Sequence, residues 1–235
     1  MSEALYMDDS YLKEFEAKVV SVKDDKYVVL DRTAFYPKGG GLPWDTGKLV
    51  RDGEEFNVVF VGKFDGAISH EVDKPGLKEG DVVKGFIDWD KRYKVIRYHT
   101  AAHILSAVLH REAGARITGN QVSPDKLRVD FDLERFDKDE LERYVQVAND
   151  EIRKGVDVKS YYLDREEAMK IPGIVKLAGA LPPSVEKLRI VEIGEVDLQA
   201  DGGPHVRNTS EIGELVLVKA ENKGKSNRRI YVEIK

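Results

Sequence analysis

The hydrophobic period of this chain changes once, and the change constrains its fold more than any single residue does. Through the first ninety residues apolar and polar side chains alternate, the period of half-buried strands. AKVVSVKDDKYVVLD alternates on both sides of an Asp-Asp turn, and GKLVRDGEEFNVVFVGKF does so around Asp52-Gly53, so each predicts a hairpin. DVVKGFIDW adds a further strand after the turn-rich DKPGLKEGD. Short strands at regular spacing predict a small antiparallel β-barrel-like domain. FYPKGGGLPWDTG, between the hairpins, fits neither period.

After Asp90 the period becomes helical. Ile104/Val108 and Leu105/Leu109 form i,i+4 pairs in a helix expected over about Arg92–Glu112, with Gly114 as its stop. A second helix is capped by Asp137, carries Leu141, Tyr144, Val145, Ala148 and Ile152 on one stripe, and ends at Gly155. Strands are expected at Leu127–Leu133, Val156–Leu163, Leu188–Ile193, Glu214–Lys219 and Arg229–Ile234. Helices and strands mix without strict alternation, which predicts α+β rather than a doubly wound sheet. The division falls near Asp88–Lys91, giving domains 1–90 and 91–235.

With 235 residues, 41% of them hydrophobic and 34% charged, the chain can bury a real core and is neither fibrous nor disordered. It has no cysteine, so disulfides, thiolate nucleophiles and Cys-based zinc fingers are excluded. No apolar run reaches the ~18 residues of a membrane span, and MSEALYMDDSYLKEF carries no signal-peptide pattern, so a cytoplasmic enzyme or binding module is expected. Charge is uneven. Residues 219–235 hold six basic side chains against two acidic ones, a net of +4, in a chain whose formal total is −5. Such a segment can meet phosphates on an acidic body, or it can be an ordinary solvated strand pair.

His99 and His103 lie four apart in the first helix and so share a face, where both imidazoles reach one ion. Thr100 stands where the zincin motif requires a general-base Glu, which excludes that mechanism. His110 lies ~10 Å further along the helix, too far to join them, and His70 receives no role. His205 ends Asp201-Gly-Gly-Pro-His205, whose glycines let Asp201 and His205 converge, and three imidazoles with one carboxylate make a reasonable zinc site. The same stretch also reads as an ordinary turn. Gly39-Gly40-Gly41 can offer backbone N–H groups to a carboxylate or phosphate, or be a flexible loop. No dinucleotide fingerprint and no nucleophile elbow are present.

Four segments in order, LDRTAFYPKGGGLPWDTG, RYHTAAHILSAVL, ADGGPHVRNTSEIG and ENKGKSNRRIYV, resemble the editing domain of alanyl-tRNA synthetase and its freestanding relatives, the AlaX proteins, with the length of the medium-sized class. The resemblance implies a β-barrel-like domain joined to an editing domain of the threonyl/alanyl-tRNA synthetase type. It implies hydrolysis of the ester that joins a wrong amino acid, serine or glycine, to alanine tRNA. It implies one zinc ion at His99, His103 and His205, with Asp201 at the family's Cys position. The ion either activates water or orients the substrate and leaves activation to a tRNA hydroxyl. Thr33 matches a family threonine and is the candidate contact for a serine hydroxyl, with Gly39, Gly40 and Gly41 also lining the substrate; Leu42 departs from the usual Gln. Lys223, Lys225, Arg228 and Arg229 are the candidate tRNA contacts. Two other readings stay open: a noncatalytic tRNA-binding module without zinc, and a different metal-dependent hydrolase on the same scaffold.

Overall fold

The computed structural model describes residues 2–134, 137–174, 186–224 and 227–235. It is α+β and divides into two compact units, Met1–Val95 and Ile96–Lys235, so the division falls inside a helix, a few residues after the point where the sequence period changes.

In unit 1 the strands are β1 (Glu3–Ala4), β2 (Glu14–Lys23), β3 (Tyr27–Leu30), β4 (Arg32–Thr33), β5 (Gly47–Arg51), β6 (Glu54–Phe64), β7 (Ala67–Val72) and β8 (Val82–Ile87). Six of them close into an antiparallel barrel in the order β2-β3-β7-β6-β5-β8, and β1 pairs parallel with β4 outside it. Closure removes sheet edges that would otherwise expose unpaired backbone. Val19, Val28, Leu30, Leu49 and Phe56 fill the interior as alternate residues of their strands, and an irregularity between Val58 and Phe60 shifts the alternation so that Val61 also faces in. Both expected hairpins form. Their turns hold Asp24, Asp25, Asp52 and Gly53 at positive φ, the twist-matched geometry that Asp and Gly tolerate.

The long helix α1 (Trp89–Ala113) starts two residues after Ile87, where the Asp88 carboxylate accepts the Lys91 N–H and its carbonyl accepts the Arg92 N–H. Unit 2 continues with β9 (Arg116–Val122), β10 (Leu127–Asp132), α2 (Lys138–Arg153), β11 (Val158–Asp164), α3 (Arg165–Ala168), β12 (Lys187–Ile193), β13 (Asp197–Ala200), β14 (Leu215–Asn222) and β15 (Asn227–Ile234). Two antiparallel sheets result, β14-β15-β10-β9 and β11-β12-β13. The Asp137 side chain accepts the N–H groups of Asp139 and Glu140 and caps α2, whose expected stripe is buried throughout. Asn149, on that buried side, exchanges two hydrogen bonds with the Leu215 backbone and fastens α2 to β14. No helix among the described residues is long and apolar enough to cross a membrane.

Candidate metal centre

One helix and one turn build the centre. Helix α1 supplies His99 and His103, ring centroids 4.9 Å apart, and the turn after β13 brings His205 to 4.1 Å from His99 and 4.7 Å from His103. Asp201 completes the set. Its Oδ2 lies 3.7 Å from the Nε2 atoms of both His99 and His103, and its Oδ1 lies 3.4 Å from Nε2 of His205. All three rings are buried, whereas the Asp201 side chain is 24% exposed, so the centre opens on the carboxylate side.

The Nδ1 partners fix what the Nε2 atoms offer. Nδ1–H of His99 donates to the Pro204 carbonyl at 3.0 Å. The Thr100 hydroxyl spends its proton on the Ile96 carbonyl, so its oxygen accepts from Nδ1–H of His205 at 3.1 Å and from the Val206 N–H. Nδ1–H of His103 donates to the buried Asp197 carboxylate at 2.9 Å. Every proton-bearing Nδ1 is thus used elsewhere, and the three Nε2 atoms turn toward one carboxylate. A tetrahedral ion with ligands at ~2.0–2.1 Å has ligand–ligand edges of ~3.3 Å, close to the 3.4–3.7 Å spacings here. The candidate ligand atoms all lie within 4.8 Å of one another, and the set can hold a single metal ion.

Electrostatics agree. Burial pushes His99 down to about 4, against the pull of Asp201, and burial holds His205 well below its ordinary range as well. Burial disfavours the charged form of His103 too, but the Asp197 and Asp201 carboxylates override it and raise this ring to about 9. Burial works to raise the Asp201 carboxyl, and the adjacent histidines, His99 foremost, hold it well below the carboxylate range instead. Without metal the cluster therefore holds one imidazolium beside carboxylates, and a divalent ion must displace that proton.

The turn is tailored to this packing. A Cβ on Gly203 would lie 2.5 Å from the Cε1 atom of His99, so only glycine admits the ring there. Arg189, buried on β12, donates to the carbonyls of Asp201 and Gly203 and fixes the loop from behind. Thr100, Asp197 and Arg189 were not anticipated from sequence. The position of Thr100 between the two histidines was the one local signal, since a residue beside a ligand on a buried helix face has few partners other than the ligands.

The remaining candidates fall elsewhere. Gly39, Gly40 and Gly41 form an exposed turn closed by reciprocal backbone bonds between Gly39 and Leu42. Thr33 is fully buried in unit 1, where its oxygen accepts the Phe35 N–H and its hydroxyl lies 2.8 Å from Nε2 of His70. Nδ1 of His70 must carry a proton to meet the Val28 carbonyl, so Nε2 is the acceptor and the Thr33 proton is spent on it. Direct contact with a serine hydroxyl does not fit this burial. Arg228 is also corrected: 3% exposed, it donates to Asn222 Oδ1 and to the carbonyls of Gly224 and Glu134, and it braces the β14–β15 turn instead of facing solvent. Arg229 pairs with Asp130 and Lys223 with Glu221, while Lys225 lies outside the described residues. His110 is exposed.

Comparison with known proteins agrees with this architecture. Residues 188–231 match the family described as the threonyl and alanyl tRNA synthetase second additional domain, and residues 4–91 match class II (A) tRNA synthetases. The chain is 54% identical to the alanyl-tRNA editing protein AlaX-M of Methanosarcina barkeri over 98% of both chains. It is 51% identical to the AlaX-M protein of Saccharolobus solfataricus over 100% of both. Against the alanine–tRNA ligase of Pyrococcus furiosus identity is 40%, covering 94% of this chain and 24% of the ligase. A barrel unit, a synthetase-type editing unit and end-to-end identity of this order place the chain in the AlaX-M family of alanyl-tRNA editing proteins.

Proposed function

We propose that this chain edits alanine tRNA in trans, hydrolysing the ester that joins serine or glycine to it, at one zinc ion held by His99, His103, His205 and Asp201. The observation that carries the reading is the buried convergence of three imidazole Nε2 atoms on one carboxylate. The names of the AlaX-M relatives support the choice of tRNA. Nitrogen and oxygen donors at this spacing suit zinc. Zinc so held supplies Lewis acidity toward the ester carbonyl and a site for water.

The chain's own groups have separable tasks. Pro204, Thr100 and Asp197 keep the Nδ1 protons of His99, His205 and His103 away from the ion. Arg189 holds Asp201 in register with the histidines through the loop carbonyls. The exposed Gly39–Gly41 turn presents backbone to the substrate. Thr33 contributes to the choice of amino acid indirectly, by fixing the Phe35 amide ahead of that turn. A site that must hydrogen-bond a serine hydroxyl leaves polar groups unpaired when alanine enters, which is how serine is favoured over alanine. Among the tail cations the reading keeps Lys223, Lys225 and Arg229 for phosphates and drops Arg228.

Deacylation of Ser-, Gly- and Ala-charged alanine tRNA, measured beside metal content, tests the reading. We expect one zinc per chain, turnover of Ser-tRNA above Ala-tRNA, and loss of both zinc and turnover in His103→Ala. Asp201→Cys retains both, and Asp201→Ala lowers zinc affinity more than it disturbs folding. Binding of tRNA with neither zinc nor turnover means a noncatalytic module, and zinc with turnover of another ester alone means a different hydrolase.

A further inference from the structure

The glycine turn of unit 1 is flanked by an aromatic ring and two cations that the centre described above does not use. Half-buried Trp44 donates its indole N–H to the Val59 carbonyl at 2.8 Å and rests against Phe60, ring centroids 4.8 Å apart. The ammonium of Lys38 lies 5.8 Å from the centroid of the Trp44 ring and that of Lys91 5.4 Å from it. Four other lysines of unit 1 are paired with carboxylates: Lys26 with Glu71, Lys48 with Glu55, Lys74 with Glu54 and Lys84 with Glu14. Among the described residues neither Lys38 nor Lys91 has an ion-pair partner; Lys91 makes one long hydrogen bond, 3.4 Å, to the Thr46 hydroxyl. Burial holds the Lys91 ammonium below the ordinary lysine range, with Asp45 and Asp88 pulling the other way.

The segment that carries them is braced. The Lys38 N–H donates to the Val61 carbonyl, and the Tyr36 hydroxyl donates to the Gly39 carbonyl. Asp45 accepts the Tyr36 N–H and pairs with buried Arg92, which also donates to the Ala34 and Ser10 carbonyls. Two ammoniums that make no ion pair among the described residues beside one fixed indole, next to side-chain-free backbone at Gly39–Gly41, complement a ligand with both a planar ring and a phosphate.

We propose that Trp44, Lys38 and Lys91 bind the single-stranded 3′ end of the RNA substrate, a base stacking on the indole and a phosphate lying against the two ammoniums. The partner's identity rests on the editing reading, but the chemistry favours RNA over an acidic peptide, because a carboxylate run would leave the indole face unused.

Tryptophan fluorescence and salt dependence test it in the full-length chain. In a Trp89→Phe background, which leaves Trp44 as the one tryptophan, titration with a single-stranded RNA of the tRNA 3′-terminal sequence is expected to quench emission. Trp44→Leu weakens uncharged alanine tRNA binding about tenfold. Lys38→Gln with Lys91→Gln raises KM for Ser-tRNA with little change in kcat, and flattens the log K against log salt slope by ~0.7 for each phosphate no longer neutralised. If the parent deacylates Ser-tRNA while these variants keep its KM, affinity and salt slope, this proposal fails and the editing reading stands. Equal quenching by polyglutamate at matched charge also overturns it, in favour of an acidic peptide. If the parent binds no RNA and deacylates none, both fall.

Discussion

At the scale of single residues, the hydrogen bonds behind the ligands decide how well a metal is held. Asp197 is the clearest case, because its buried carboxylate both orients the His103 ring and raises its basicity. Asp197→Asn keeps the shape and an acceptor but loses the charge, so we expect metal affinity to fall 10–100-fold, read by competition with a chelating dye. Affinity within twofold of the parent would remove Asp197 from the machinery. In unit 1 the Thr33–His70 pair makes a second test. Thr33→Val leaves Nε2 of His70 and the Phe35 N–H buried without partners, at about 1–3 kcal/mol each, whereas Thr33→Ser keeps both bonds. Urea unfolding should separate the two variants. The four candidate ligands were legible in sequence, because helical spacing and a glycine turn are local signals. Thr100, Asp197 and Arg189 were not, since each acts on a residue whose proximity only the tertiary fold creates.

At the scale of elements, what sequence missed has a common cause. The strand β7 puts His70 at an inward position between Ile68 and Val72, and a polar residue in a core slot hides the alternation. The strand β9 is mostly exposed or half-exposed, and β13 has four residues, so neither carries a hydrophobic period to read. By contrast α2 announced itself through its cap and stripe. Arg92 shows how one element anchors another within unit 1: the first turn of α1 sends a fully buried guanidinium to Asp45, Ala34 and Ser10. Arg92→Met strands the Asp45 carboxylate in the interior, which should cost about 3–5 kcal/mol. Arg92→Lys rescues it only partly, because a single ammonium cannot replace a fork bonded to three groups. Urea midpoints that leave Arg92→Met within 1 kcal/mol of the parent, taken against the ~1 kcal/mol of an ordinary substitution, would contradict this role.

At the scale of the whole molecule, a metal at the candidate centre and the neutral buried histidine load the two units differently, and pH separates them. Burial holds His70 down to about 4, against the help of its Val28 bond, while the unfolded chain has it near 6.5. Between those values the unfolded state binds the extra proton, so stability is full above about pH 6.5 and falls toward pH 4 by about 3 kcal/mol. A resolved His70 ring resonance that titrates near pH 6.5 in the folded protein would contradict this. The four ligands of the candidate centre all belong to unit 2, and metal bound there stabilises that unit by mass action. At free metal 1,000 times its Kd the gain is ~4.1 kcal/mol, several degrees of melting temperature for a unit of this size. Removing the metal with a chelator near neutral pH should therefore destabilise unit 2, followed by hydrogen exchange at α2 and β14, and leave protection of the β2–β3 hairpin in unit 1 unchanged. Asp201→Ala should shrink that chelator-dependent shift. A chelator that lowers protection equally in both units, or in neither, would be inconsistent with a metal held by His99, His103, Asp201 and His205 alone.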